Sequence, residues 1–163
     1  MNQLTTFENI EYIRPNFDEL KAFYAALNER LAAAKSYEEV RACMMAEEEY
    51  SSHFNTMATI VQIRHTVDTS DKFYEAEEEY ISQNYPEAMP YMQAFNMALL
   101  ASPYKKEIDE EFGEQFLKAV KLGADSFSEK NVPLMQEEND LTNRYQKLTA
   151  ACKIPFDGGE HNL

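Results

Sequence analysis

The sequence predicts an all-α protein of about six helices in a bundle, with the start of a β-hairpin at the C-terminal end. Three observations carry that expectation. All four glycines (Gly113, Gly123, Gly158, Gly159) lie beyond residue 112, and the chain before them is rich in Ala, Glu, Leu and Met, which favour helices. Apolar residues recur at alternating steps of three and four, the period of one helix face. Capping residues stand where those periodic stretches begin.

The first helix starts after Pro15, with Asn16 as its N-cap, and carries Phe17, Leu20, Tyr24, Leu27 and Leu31 on one stripe. A second opens with a capping box, Ser36 and Glu39, and nothing breaks it before about Asp68. Its first half leads through Val40 and Met44 into Glu47-Glu48-Glu49. Its second half, with Phe54, Met57, Ala58, Ile60, Val61 and Ile63, is expected to be buried nearly all round.

A third helix runs from about Ser70 through Phe73, Tyr74, Ala76, Tyr80 and Ile81. A fourth begins at Pro86 or Pro90, because proline is suited to a first helical turn, and sets Ala88, Met92, Phe95 and Leu99 on one side. Ser102-Pro103 reads as the start of a fifth, which runs from Tyr104 to Phe127 with Gly113 as a kink or break. The last helix starts near Asn131 and lines up Leu134, Leu141, Tyr145, Leu148 and Cys152, with Glu138 on the same line needing a partner or water. Asp157-Gly158 after Ile154-Pro155-Phe156 is a hairpin signal with no sheet to join, as in a chain cut inside a larger fold.

Composition bounds the function. The chain has 163 residues, 15 basic and 29 acidic, a formal charge of −14, 44% hydrophobic residues and no Trp. That describes one acidic domain with one core. Nucleic acid and anionic lipid are excluded as partners, because no basic stripe is present to displace counterions. Cys43 and Cys152 form no metal-binding or redox pair and are expected to be free buried thiols. Met1 to Ile10 lacks the apolar segment of a secretory signal, and no stretch approaches the ~18 apolar residues of a membrane span, so a cytoplasmic location is expected.

No constellation of catalytic residues is found. The histidines, His53, His65 and His161, make no His-Glu-x-x-His motif, and Tyr50 and Gln62 stand where a Glu-x-x-His pair would need its glutamates. A small metal site from Glu47, Glu49, His53 and Glu77 ranks below the plainer reading, in which Glu47-Glu48-Glu49 and Glu77-Glu78-Glu79 solvate helix faces. The segment from Ile63 to Glu75 concentrates charge and hydroxyls. It reads as a junction in which Arg64 and His65 pair with Asp68, and Asp68 or Ser70 caps the next helix; the alternative is a corner that contacts a ligand.

The run Arg64-His65-Thr66-Val67-Asp68-Thr69-Ser70-Asp71-Lys72-Phe73-Tyr74 resembles the amino-terminal part of bacterial oligoendopeptidase F-type zinc metallopeptidases. Tyr12-x-Arg14-Pro15-x-Phe17, Ala98-Leu99-Leu100-Ala101-Ser102-Pro103-Tyr104, Glu111-Phe112-Gly113, Gln136-Glu137-Glu138-Asn139 and Ile154-Pro155-Phe156-Asp157-Gly158 are similar to other segments of those enzymes, in the same order.

The resemblance implies a thimet-oligopeptidase-like parent that binds one zinc and cuts short peptides inside a deep channel. Residues 1–163 would be its amino-terminal channel-wall or lid portion, partnered by a catalytic portion that is absent here. The zinc motif of that family is not in this sequence. No catalytic or metal-binding position is therefore assigned to it, its substrate-facing residues are unknown, and the chain alone is expected to be inactive and to self-associate through an exposed apolar patch. A free-standing helical interaction module without catalysis is the alternative.

Overall fold

A computed structural model describes residues 6–161; residues 1–5, part of the segment read above for a signal, and residues 162–163 lie outside the described residues. Six helices follow one another: α1 (Phe17–Ala33), α2 (Tyr37–Val67), α3 (Lys72–Ala101), α4 (Lys105–Phe112), α5 (Glu114–Ser126) and α6 (Val132–Ala150). Short 3-10 turns at Phe7–Asn9 and Glu129–Asn131 precede α1 and α6, and a hairpin of β1 (Ile154–Phe156) and β2 (Gly159–His161) ends the described chain. The fold is all-α, as the sequence predicts.

Local chemistry sets the helix starts. The Asn16 carboxamide oxygen accepts from the backbone N–H groups of Asp18 (3.0 Å) and Glu19 (3.2 Å), while its own amide donates to the Glu19 carboxylate at 2.9 Å. At α2, Ser36 Oγ accepts from Glu39 N, and the Glu39 carboxylate accepts from Lys35 N. These bonds satisfy backbone donors that a helix start leaves open. Gly113 separates α4 from α5 with φ at +85°, a conformation that a side chain would strain, so the sequence break falls where expected. The fifth helix of the sequence reading is thus two. It also starts later than Ser102, at Lys105, with Ser102 Oγ accepting from Tyr104 N at 3.2 Å in the turn before it.

The core is built around α1, whose entire apolar stripe is buried and packs chiefly on α3 and α2. Phe17 meets Phe54 and Tyr80 edge to face at 5.3 and 5.5 Å, and Leu20, Tyr24 and Leu27 are each 1% exposed. Cys43 lies in this core, but Cys152 is exposed, contrary to the expectation of two buried thiols. The second half of α2 is also not buried all round. Phe54, Met57, Ile60, Val61 and His65 face inward, while Asn55, Thr59, Gln62 and Thr66 recur on a polar stripe of their own and stay at the surface.

The largest departure concerns Pro86 and Pro90. They begin no new helix; both lie inside the continuous α3. A proline in a helix interior deprives the carbonyl four residues earlier of its donor. For Pro86 that carbonyl belongs to Ser82, and Asn139 of α6 supplies the missing donor at 2.8 Å. One turn earlier on α6, Gln136 donates to the carbonyl of Gln83 at 2.8 Å. The helix survives the proline because a second helix satisfies the exposed backbone.

Candidate functional site

Three features of the fold bear on function: an ion pair to a buried glutamate that ties down the segment before α1, a polar cleft between α2, α3 and α6, and the outward face of α6.

The extended segment before α1 is anchored on α3. Tyr12 Oη donates to Glu77 Oε2 at 2.6 Å, and Arg14 reaches the same carboxylate through Nε (3.1 and 2.9 Å) and through Nη2. The Arg14 guanidinium also lies 4.7 Å over the Tyr80 ring, and Tyr80 Oη donates to the Pro15 carbonyl at 3.2 Å. Glu77 is 1% exposed, so it does not solvate a helix face as the glutamate run suggests. Its hydrogen bonds from Arg14 hold the carboxyl below the usual glutamate range, against the opposing effect of burial. Burial, followed by the bond to Glu77, pushes the Tyr12 phenol far up. Tyr12, Arg14 and Phe17 of the early motif are therefore fastening residues.

The corner between α2 and α3 is a junction, although its pairs are not the expected ones. Arg64 turns to the extended segment before α1, which forms a strap across α3: Nη2 donates to the carbonyls of Ile10 (2.8 Å) and Phe7 (3.3 Å), and Nη1 donates to Tyr74 Oη at 2.5 Å. Asp68 accepts from the Ser70 N–H (2.9 Å) and hydroxyl (2.6 Å), which hold its carboxyl below the ordinary aspartate range. Asp71 caps α3, accepting from Phe73 N and Tyr74 N. Neither Asp68 nor Ser70 does so, because the chain needs both for the tight turn that precedes the cap.

Beneath this corner, α6 closes a polar cleft. Two adjoining cavities of about 210 and about 270 Å³ share His65, Glu78 and Asn143. The first is otherwise lined by amides and hydroxyls, including Gln62, Thr66 and Asn139; the second by Glu75, Glu79, Asp140, Arg144 and Lys147. His65 is 4% exposed, and its Nδ1 has no hydrogen-bond partner. Burial raises the Glu78 carboxyl above the usual glutamate range, with nearby His65 opposing the rise. Lys147 and Lys72 bond Glu75 and hold it down at about 2. Sequence reasoning treated His65 as a junction residue and missed this cleft, since its far wall is contributed by residues more than 70 positions downstream.

α6 turns its amphipathic pattern inside out. Gln136, Asn139 and Asn143 face α3, whereas Leu134 (60%), Leu141 (55%), Tyr145 (67%) and Leu148 (68%) are exposed. Glu138 is exposed on that outward line, so its carboxylate meets solvent rather than a core. Beyond Cys152, Ile154 and Phe156 are exposed on the hairpin, whose Asp157-Gly158 turn has positive φ at both positions.

The four residues of the candidate metal site are not assembled. Glu77 is engaged by Tyr12 and Arg14, Glu47 accepts from Tyr24 Oη at 2.6 Å, and Glu49 and His53 are exposed. Among the described residues no three His, Cys, Asp or Glu side chains converge as metal ligands, so this chain's donor set does not fit a zinc centre. No helix of the described residues is long and apolar enough to cross a membrane.

Comparison with known proteins gives consistent results. The sequence profile of the Peptidase M3 N-terminal domain matches residues 7–127. Among solved structures, the chain is similar to PZ peptidase A with inhibitor 2 (TM-score 0.92, 32% identity), covering 96% of this chain and 28% of that one. It is similar to a chain described as an oligoendopeptidase F from Bacillus anthracis strain Ames (0.93, 32%), covering 99% of this chain and 30% of that one. A further structure described as an oligoendopeptidase F superposes at 0.92 with 28% identity, over 98% of this chain and 28% of that one. The chain therefore spans under a third of the length of these structures. No curated protein matches the sequence.

Proposed function

The chain belongs to the peptidase M3 family, through that family's N-terminal domain, and from this premise we propose that it is the non-catalytic helical portion of a zinc-dependent oligoendopeptidase. In this reading residues 1–163 form part of the wall or lid of a channel in which the parent hydrolyses short peptides. The observation that carries it is the outward apolar line of α6, Leu134 to Leu148, on a chain that matches less than a third of each peptidase structure. Such a face is costly to leave in water and suits a partner surface.

Zinc belongs, in this proposal, to the catalytic portion, where it would polarise the scissile carbonyl and activate water. The described residues of this chain offer it no site, and none is assigned a step on it. What they supply is rigidity: the Tyr12, Arg14 and Glu77 anchor and the Asn139 clamp hold long helices in fixed register. A channel wall of that kind excludes folded proteins and admits short peptides. The same proposal places the protein in the cytoplasm.

The test joins two readouts. The reading frame beyond the codon for Leu163 should continue into a His-Glu-x-x-His helix followed by a glutamate. Its product should cleave a fluorogenic oligopeptide and stop when a chelator is added, while the 163-residue chain should leave the peptide intact with or without zinc. A stop codon directly after Leu163, or peptide cleavage by the chain alone, overturns the proposal; the stop codon would favour a free helical interaction module.

A further inference from the structure

The polar cleft between α2, α3 and α6 contains groups that the structural role does not use. His65 is buried with its Nδ1 unpartnered, Glu78 makes no hydrogen bond or ion pair among the described residues, and Arg144 is likewise unpaired there. Other charges at the cleft are already engaged: Glu75 with Lys72 and Lys147, and Asp140 with Gln83 Nε2 at 2.6 Å. What is left is an imidazole, two carboxylates (Glu78, shared by both cavities, and the exposed Glu79), a guanidinium and the Asn143 carboxamide around two adjoining cavities.

Each simple ligand class conflicts with some of that lining. A phosphate-like anion would meet Glu75, Glu78, Glu79 and Asp140 at close quarters. A bare metal ion would meet Arg144 and Lys147 and finds no three converging ligands. An apolar molecule would strand the amides and hydroxyls of the first cavity without partners. A small molecule that carries both signs and an amide can turn its cationic end to the carboxylates and its anionic end to Arg144, and so answers both parts of the lining.

We propose that this cleft binds a free amino acid or dipeptide as its zwitterion, the ammonium group on Glu78, the carboxylate on Arg144 and His65, and any peptide bond on Asn143. Ion pairs with opposite ends of one ligand give the cleft selectivity for molecules whose two termini are both unblocked. The site stands on the cleft's own groups. The peptidase reading adds that its ligand is of the class that peptide hydrolysis releases, so occupancy would report accumulated product.

Isothermal titration of the 163-residue chain with alanyl-alanine, beside an N-acetylated and C-amidated control, tests the proposal. A saturable isotherm with the free dipeptide, about millimolar or tighter, and none with the blocked control is expected. Arg144→Gln, at an exposed position, should weaken binding about tenfold or more, and Glu78→Gln should do the same, with circular dichroism unchanged. Amide NMR shifts on titration should centre on His65, Glu78 and Asn143. No saturable binding, equal binding of the blocked control, unchanged affinity in R144Q, or shifts centred elsewhere would each overturn it. Peptide cleavage is not read here, so this result and that of the chelator assay stand or fall separately.

Discussion

α1 and α6 are both amphipathic and both pack on α3, yet they present opposite faces to it. α1 buries its apolar stripe and exposes its charges, as expected for a helix that completes a core. α6 buries amides against α3 and exposes Leu134, Leu141, Tyr145 and Leu148. The first arrangement is complete in this chain. The second is complete only if something covers the leucines, while the hydrogen bonds underneath keep α6 in place until it does. Hydrophobic periodicity therefore reports which face of a helix is apolar, without saying what that face packs against.

The contrast is sharpest at matched leucines. Leu20→Ala on α1 should lower unfolding stability by about 2–5 kcal/mol, because it opens a cavity in a packed site, whereas Leu141→Ala on α6 should change it by about 0.5 kcal/mol or less. Urea denaturation of the two variants measures both values, and equal losses would mean that α6 is covered after all.

Glu77→Ala should come next, at about 2–4 kcal/mol, since it opens a cavity at a buried site and takes the acceptor from the half-buried Tyr12 hydroxyl, while the exposed Arg14 turns to water. Its pH signature is independent of that loss. The Glu77 carboxyl sits below its unfolded value, so its contribution is full at neutral pH and is lost as pH falls below about 4 and through the folded pKa. Acid unfolding of Glu77→Gln should accordingly be less steep than that of the native chain.

A smaller effect should reveal the clamp. Asn139→Leu should cost about 1–3 kcal/mol by stranding the Ser82 carbonyl, and the loss should shrink in the Pro86→Ala background, where a backbone N–H becomes available to the same carbonyl. A double-mutant cycle gives the coupling directly, and additive losses would remove the explanation offered for an unbroken α3. The smallest change in stability should come from Leu141→Ser with Tyr145→Ser. Sedimentation velocity should nevertheless show the native chain associating as concentration rises and the double variant remaining monomeric.

Much of this was legible in the sequence. The α1 stripe, the Asn16 and Ser36 caps, the break at Gly113 and the Asp157-Gly158 turn are encoded by neighbouring residues and appear where local rules put them. The misplaced boundary at Pro86 has a different origin, because proline ends a helix only when no other donor reaches the freed carbonyl, and here the donor lies 57 residues away. Glu77 was hidden for the same reason, its partners standing 63 and 65 residues earlier. A polar stripe at Asn55, Thr59, Gln62 and Thr66 was readable and would have corrected the burial expected for α2. The cleft was not readable, since the unpartnered state of His65 depends on where α6 lies.

The Glu77 anchor also bears on the order of events during synthesis. Tyr12 and Arg14 leave the ribosome before the carboxylate that will hold them has been translated, and at about 5–20 residues per second that interval lasts several seconds. During it the strap has no fixed place, and Arg64 cannot yet take its hydroxyl contact from Tyr74. The strap can therefore close only once Glu77 has emerged, yet before Asn139 of α6 has been made to steady α3 at Pro86.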